Sequence, residues 1–410
     1  IMHTTFEELL APLNSFIEEQ GNQIDQKSGS RKLFFADFTN KIIFAFVMKV
    51  PSLRQLVTEL SSSEICQKLG LEQSPFSTLK DGFTRFSSQE FEQLFHHILK
   101  NASWLRIKAF DELGIFRLVD GSVFPTLCSM DWAAFRKTKK AIRLHLSFDL
   151  NSMIPVDFIG LKANSSERHF LLSILEKGVT YIADRGYFSF DLAAKIEAAQ
   201  AFFILRIKNN LNLGRIIKLQ PSCTQGQKIP PCFKNLTDEV IRFQSDQTAN
   251  VYRLICFTVM QSQFKICTNR LDLTTLQVII LYAYRWQIEL FFKFIKRSLN
   301  GLHLFNHTEN GVNVQFYILM ITAVLQLRLK QKTVLQTQQN SQQSAVIDLQ
   351  KVNNIEQISD YDEFQPDLWI KTLTIPLQKL WKISCHWIRC LQNFIAKTFD
   401  NEVITKLGVT

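Results

Sequence analysis

The amino-acid sequence predicts an α/β protein: a mixed sheet with flanking helices, interrupted by a β-rich insertion, with helical regions at both ends. Three observations lead there. Residues 1 to about 100 repeat apolar side chains at three- and four-residue spacing. After residue 113 short apolar strands alternate with helices. Between about 208 and 271 that alternation gives way to strand-like runs among prolines. With 410 residues, 46% of them apolar, the chain can bury cores of ordinary size.

Taken in order, helices are expected at Phe6–Ile17, Phe35–Val47, Leu53–Leu60 and Glu90–Leu99. The stretch Ser74 to Asp81 places capping residues before a helix and suits either a helix-turn-helix element or an ordinary capped core helix. A boundary is expected near 100–112. Ile115–Val119 then reads as a buried strand ending at Asp120. Ile142, Leu144, Leu146 and Phe148 alternate with Arg143, His145, Ser147 and Asp149, and Asn151-Ser152 turns this strand into a partner at Ile154–Leu161. Asn164 and Glu167 resemble a capping box for a helix through Leu175, stopped by Gly178. A strand at Val179–Ala183 delivers Asp184, followed by a helix at Phe190–Ala199 and a strand at Phe202–Ile207.

The insertion contains strand-like runs at Val240–Phe243, Val251–Val259 and Phe264–Thr268. One helix is expected from Leu273 to about Leu299 and another around Val312–Leu329. From Gln331 the composition turns to Gln, Asn, Ser and Lys, which predicts a polar linker over 331–360. Residues 361–410 read as a helical C-terminal region with Trp369, Trp381, Trp387 and Phe394 on its apolar face.

Charge narrows the function. Lys and Arg number 47 against 37 acids, a formal balance of +10. Residues 201–300 hold fourteen of those bases and only five acids, so nine of the ten excess charges fall there. Arg136, Lys137, Lys139, Lys140 and Arg143 form a second basic run. Such clusters suit nucleic-acid phosphates, or else form solvated faces balanced by acids elsewhere. The eight cysteines form no C-x-x-C pair, so neither a zinc ribbon nor a disulfide framework is indicated, and a reducing compartment is expected. Glu7, Glu8, Glu18 and Glu19 argue against a secretory signal. The apolar run Phe316–Leu325 is about half of the roughly 20 residues a membrane span needs.

Asp120 and Asp184 are placed at strand ends, where ligands collect in open α/β sheets, although an aspartate there also serves as a cap or turn residue. Glu289 lies in a mostly apolar helix. At about 100° per residue, Tyr282, Arg285, Glu289 and Lys296 fall within an arc of roughly 60°. One reading is metal-assisted phosphoryl transfer: Asp120, Asp184 and Glu289 would hold two Mg²⁺ ions, with Mn²⁺ as a substitute, while Arg285 and Lys296 neutralise phosphates. The other is a buried Arg–Glu pair at i, i+4 without a catalytic role.

These residues carry a resemblance. Asp184-Arg-Gly-Tyr187 after an apolar strand, and the pattern Y-x-x-R-x-x-x-E-x6-K formed by Tyr282, Arg285, Glu289 and Lys296, resemble the bacterial DDE transposases of the insertion sequence four family. Val119-Asp-Gly-Ser122 is similar to that family's first-aspartate motif. The resemblance covers about residues 35–330. It implies a ribonuclease-H-like catalytic core at 106–330, with the insertion at about 208–271, behind an N-terminal DNA-binding region at 1–105. It also implies that Asp120, Asp184 and Glu289 are the catalytic metal ligands, that Tyr282, Arg285 and Lys296 contact the transposon end, and that Trp286, Lys293, Arg297, Arg185 and Tyr187 lie at the DNA. In relatives that cut through a hairpin, aromatic side chains such as Trp286 stack on a flipped base. The implied activity is cut-and-paste transposition on double-stranded DNA, inverted-repeat ends and target alike, by a homodimer in the bacterial cytoplasm at the nucleoid, with no membrane. A DNA-binding remnant without catalysis and a Mg²⁺-dependent nuclease on the same fold remain open alternatives.

Overall fold

Eleven residues, Ile115–Pro125, form the strand β1 around which the sheet of the computed structural model is organised. The structure describes residues 2–343, apart from 30–31, 63–65, 68, 127–129, 137–138, 163–165, 210, 226–227, 232, 245, 247–249 and 260–261. β2 is Ala134–Arg136, β3 Lys139–Asp149, β4 Ile154–Lys162, β5 Val179–Ala183 and β6 Phe202–Arg206. The insertion contributes β7 (Leu213–Leu219), β8 (Lys234–Phe243), β9 (Tyr252–Val259) and β10 (Ser262–Thr268). The strand order is β2-β3-β1-β5-β6-β10-β9-β8-β7, with β4 also on β3. β1 runs antiparallel to β3 and parallel to β5, and β5 runs parallel to β6. This is the mixed sheet expected from the sequence, with the antiparallel hairpin half and the parallel crossover half meeting at β1.

One expectation about strands needs correction. β1 does not end at Asp120: Gly121 pairs with His145 and Ser122 with Leu144, so β3 carries the ladder on to Pro125. The small residues at 121 and 122 look like a turn in sequence, yet they sit in a paired strand. The insertion also extends the central sheet, because β10 pairs antiparallel with β6 over Ile204–Arg206.

The helices before the sheet are α1 (Met2–Phe16), α2 (Asn22–Ser28), α3 (Phe35–Val47), α4 (Leu53–Ser62), α5 (Phe76–Arg85), α6 (Ser88–Asn101) and α7 (Lys108–Asp111). Ser87 and Glu90 form a capping box that starts α6. α3 is held by aromatic edges and faces: Phe35 stands 4.8 Å from Phe91 and Phe38 stands 5.0 Å from Phe83, centroid to centroid. α5 turns Leu79 and Phe83 into the core. Two helices cover the crossovers, α8 (Glu167–Ser173) and α9 (Phe190–Ala198). Asn164, expected to cap α8, lies outside the described residues, and Glu167 pairs with Arg143.

Three further helices follow the insertion: α10 (Thr275–Ala283), α11 (Trp286–Lys293) and α12 (Glu309–Gln343). α12 packs against α1, α3, α5, α6 and β4. One buried apolar cluster therefore runs from Phe6 through the sheet to Leu327, across the compositional boundary at 100–112. Within α12, Glu309–Lys332 is long and apolar enough to cross a membrane, longer than the run expected from sequence. Its apolar surface is used internally, since 67% of its most apolar window is buried and Gln315 donates to His303 O. Residues 331–343, expected as linker, continue α12, because glutamine is compatible with helix once the preceding turns are anchored. The remainder of that linker and the C-terminal region lie outside the described residues.

A buried network joins the insertion to α10. Arg253 on β9 donates to Asp238 on β8 through Nε and one terminal nitrogen, at 3.0 and 2.6 Å. Thr275 Oγ1 donates to the same carboxylate at 2.6 Å.

Candidate active site

The pairing of β1 with β5 stops at Leu118 opposite Ile182. Two residues further on, on the same faces of their strands, stand Asp120 and Asp184. Adjacent strands lie about 4.8 Å apart, so the register alone brings these two carboxylates together. β5 and β6 pair through Ala183 and Leu205, which sets Arg206 beside Asp184 in the next position. Arg206 approaches Asp184 Oδ1 to 3.9 Å and lies over the Phe264 ring at 4.5 Å.

The third carboxylate arrives from the helices. Thr274 and Gln277 form the capping box that opens α10. The single helix expected from Leu273 to Leu299 is interrupted: α10 ends at Ala283, α11 begins at Trp286, and Phe294–Ser298 widens into a π-helical turn. The backbone tightens at the break, where the Arg285 N–H donates to Tyr282 O and the Gln287 N–H donates to Tyr284 O. A constant 100° step does not hold across these changes, yet the four signature side chains still face the strand ends. Tyr282 OH donates to Asp184 Oδ1 at 3.2 Å. One Arg285 nitrogen lies 2.5 Å from Glu289 Oε1 and the other 3.9 Å from Asp120 Oδ2. Lys296 Nζ donates to Ser122 Oγ at 2.7 Å and Val123 O at 2.8 Å, above the Phe124 ring.

The electrostatics follow from burial and from that one arginine. Desolvation pushes Asp120 up to about 6, against the pull of Arg285 and the Gly121 N–H. Desolvation likewise raises Glu289 to about 7, with Arg285 opposing. At Asp184 burial also acts upward, but Arg285, the Arg185 N–H, Arg206 and Tyr282 together hold it below the ordinary value. Burial pulls Lys296 down. Raised carboxylates bind protons in the native state that the unfolded chain releases, so they make stability fall with rising pH. The fall begins above the ordinary values of 3.8 and 4.5 and is complete above about 7. Metal-free protein should therefore melt at a lower temperature at about pH 8 than at about pH 5, and Glu289→Gln should flatten that dependence in calorimetry.

A cleft of ≈ 570 Å³ lies over the site, lined by Asp120, Ser122, Glu289, Lys293, Lys296 and Arg297 among others. Two carboxylates and three cations lining one cleft suit a phosphodiester backbone approaching a cation-binding centre. A second cleft of ≈ 610 Å³ lies in the helical layer, between Phe16 and His97, and holds none of these residues. Hard carboxylate oxygens are the donor set that Mg²⁺ or Mn²⁺ takes. Among the described residues, however, no three His, Cys, Asp or Glu side chains stand close enough to hold an ion jointly as they are placed. Arg285 bridges Asp120 and Glu289 instead.

The other sequence-predicted residues divide. Arg185 is exposed and its N–H donates to Asp184 Oδ1; Arg297 is exposed, and Lys293 and Trp286 are half-buried. Tyr187, expected at the DNA, is only 1% exposed and belongs to the apolar cluster behind the sheet. Two of the bases counted in 201–300 are also internal: Arg253 pairs with Asp238, and Arg270 pairs with Asp272 and donates to Thr180 Oγ1. Sequence reasoning missed Arg206 and Ser122. Arg206 could have been found as the polar residue closing the strand next to Asp184, whereas Ser122 depends on the π-helical turn that delivers Lys296.

Residues 114–325 match the family described as the transposase DDE domain. The chain belongs to that family. All three carboxylates and all four signature residues fall inside the matched transposase domain. Relatives include a putative transposase of Sinorhizobium fredii, y4zB, 26% identical over 217 residues that cover 52% of this chain and 60% of that protein. The probable transposase for insertion sequence element IS5377 of Geobacillus stearothermophilus is 23% identical over 51% of this chain and 54% of its own length. The chain thus spans little more than half the length of these relatives. Among solved structures, the piggyBac transposase synaptic complex with hairpin DNA aligns with a TM-score of 0.43 and 9% identity, over 99% of this chain and 84% of that one.

Proposed function

We propose that this transposase-family chain cleaves the ends of its own mobile element and joins their 3′-ends to target DNA, as a homodimer holding two inverted-repeat ends in the bacterial cytoplasm. The observation that supports it most is that Asp120 and Glu289 line one cleft with Lys293, Lys296 and Arg297, while Asp184 stands under the same Arg285 charge and accepts from Tyr282 of the signature. Asp120, Asp184 and Glu289 would hold the divalent ions, Mg²⁺ or Mn²⁺ and two in number. Such ions activate a water or 3′-hydroxyl and stabilise the leaving oxygen in an in-line displacement. The protein's own groups orient the DNA. Lys296, fixed to Ser122 and Val123, presents its charge beside the first aspartate. Lys293, Arg297 and Arg185 supply phosphate contacts around the cleft, and half-buried Trp286 offers a ring for an unstacked base. The helices of residues 1–105 add a DNA-binding surface.

The test is strand joining. Purified protein with Mg²⁺ and duplexes carrying the element's flanking repeats should nick the ends and covalently join the 3′-strand to a target plasmid. Cleavage without joining would favour the nuclease alternative, and binding without cleavage the silent remnant. Electrostatic contacts give a second readout. The slope of log affinity against log salt for non-specific duplex should be steep, and Arg185→Ala with Arg297→Ala should reduce it by about two. A slope that does not change would remove these two residues from the DNA interface.

A further inference from the structure

Every carboxylate of the triad already has a protein partner. Glu289 and Asp120 share Arg285, at 2.5 and 3.9 Å. Asp184 accepts from Tyr282 OH and from the Arg185 N–H, with Arg206 at 3.9 Å. Arg285 is the hub, and it sits at the break between α10 and α11 rather than inside a regular helix. A backbone position between two helices can shift with less loss of hydrogen bonding than one within a helix. Its side chain is 15% exposed and contacts Asp120 and Glu289, two residues that line the cleft.

A guanidinium among carboxylates supplies one of the two positive charges a divalent ion would bring and occupies the same oxygen lone pairs. Resting on the phosphoryl-transfer reading above, we propose that Arg285 is the resident counter-ion of the metal-free site, closing it to divalent ions until a DNA phosphate draws the guanidinium away. Three observations converge on this: the bridging of Asp120 and Glu289, the absence among the described residues of a ready three-ligand cluster, and the helix break that carries the arginine. A phosphodiester can take over the guanidinium because, like a carboxylate, it accepts the planar fork through two oxygens and carries a full negative charge, and metal binding to the carboxylates removes their side of the competition. Lys296 does not serve this role, since it is tied to Ser122 and Val123. The consequence is reciprocal coupling. Metal competes with Arg285 for the carboxylates, phosphate competes with the carboxylates for Arg285, and DNA and metal therefore raise each other's affinity. Off DNA, Asp120 and Glu289 stay paired with Arg285 and the centre is closed to divalent ions.

The experiment measures Mn²⁺ binding to the full chain without DNA, by the paramagnetic resonance signal of free Mn²⁺. Arg285→Ala and the nearly isosteric Arg285→Gln should bind Mn²⁺ about tenfold more tightly than the unsubstituted chain. Guanidinium chloride added to Arg285→Ala should weaken Mn²⁺ binding again, and equal NaCl should do so far less. Arg285→Gln keeps the comparison if the alanine variant does not fold. Mn²⁺ affinity that is unchanged or lower in the folded variants overturns the role of Arg285. Mn²⁺ binding indifferent to Asp184→Asn in every background overturns the triad as a metal site, and this role for Arg285 with it; the two failures are therefore distinct.

Discussion

Asp120→Ala, Asp184→Ala and Glu289→Ala should each reduce Mg²⁺-dependent end cleavage by ~1000-fold or more, because groups that act as one unit fail together. The same substitutions should not lower the melting temperature in step. Asp120 and Glu289 are held above their ordinary values by burial, so removing either one relieves a desolvation cost. Asp184 differs, since its carboxylate is held below the ordinary value by the charges and donors around it, and its loss should cost modest stability. Loss of cleavage with an intact or raised melting temperature at positions 120 and 289 separates a chemical role from a folding role. A parallel collapse of melting temperature at both would make the Arg285–Glu289 pair a structural ion pair.

The largest stability effect should come from Asp238→Ala. Its carboxylate is wholly buried against Arg253, which is itself 4% exposed. Removing the acid leaves a buried guanidinium with only the carbonyls of Arg270 and Leu273 and the hydroxyl of Thr275. Breaking a buried pair in this way costs about 3–5 kcal/mol, measurable by urea denaturation. Replacing both partners, Asp238→Leu with Arg253→Met, should recover much of that loss. Since Thr275 opens the helix that carries Tyr282, the single variant should also weaken cleavage at temperatures where the chain remains folded. A double variant no more stable than Asp238→Ala would show that the network contributes more than charge pairing.

Much of this was legible in the sequence for physical reasons. β3 and β4 were recoverable because period-two alternation and a turn coincide. β5 and Asp184 were recoverable because a short strand of β-branched, aromatic and apolar residues has few other uses. The candidate site residues Tyr282, Arg285, Glu289 and Lys296 carried their own spacing, and the structure brings them to the ends of β1 and β5. What the sequence hid was relational. β1 runs past Asp120 because β3 pairs with it there, and nothing in Gly121-Ser122 announces His145 and Leu144 as their partners. The break at Tyr284-Arg285 lies inside a stretch of helix-compatible residues and becomes visible only when Arg285 is seen bridging two carboxylates. Arg206 enters the site through strand register, which local spacing cannot supply. β7 was missed because Gly214 and Lys218 blur its alternation. The apolar part of α12 was underestimated because Gln315 and Gln326 bound the run Phe316–Leu325, although Gln315 is satisfied inside the protein.

The central claim is that three carboxylates far apart in sequence form one cation-dependent centre. Its most direct measurement is iron-directed scission of the protein. Fe²⁺ bound in place of the proposed divalent ion, with ascorbate and peroxide, generates radicals that cut the backbone nearest the ion. With end DNA present, cuts should cluster around residues 120, 184 and 289, be suppressed by excess Mg²⁺, and vanish in Asp184→Asn. Scission concentrated elsewhere, such as the helical layer near Glu92 and His96, or cuts untouched by Asp184→Asn, would contradict it.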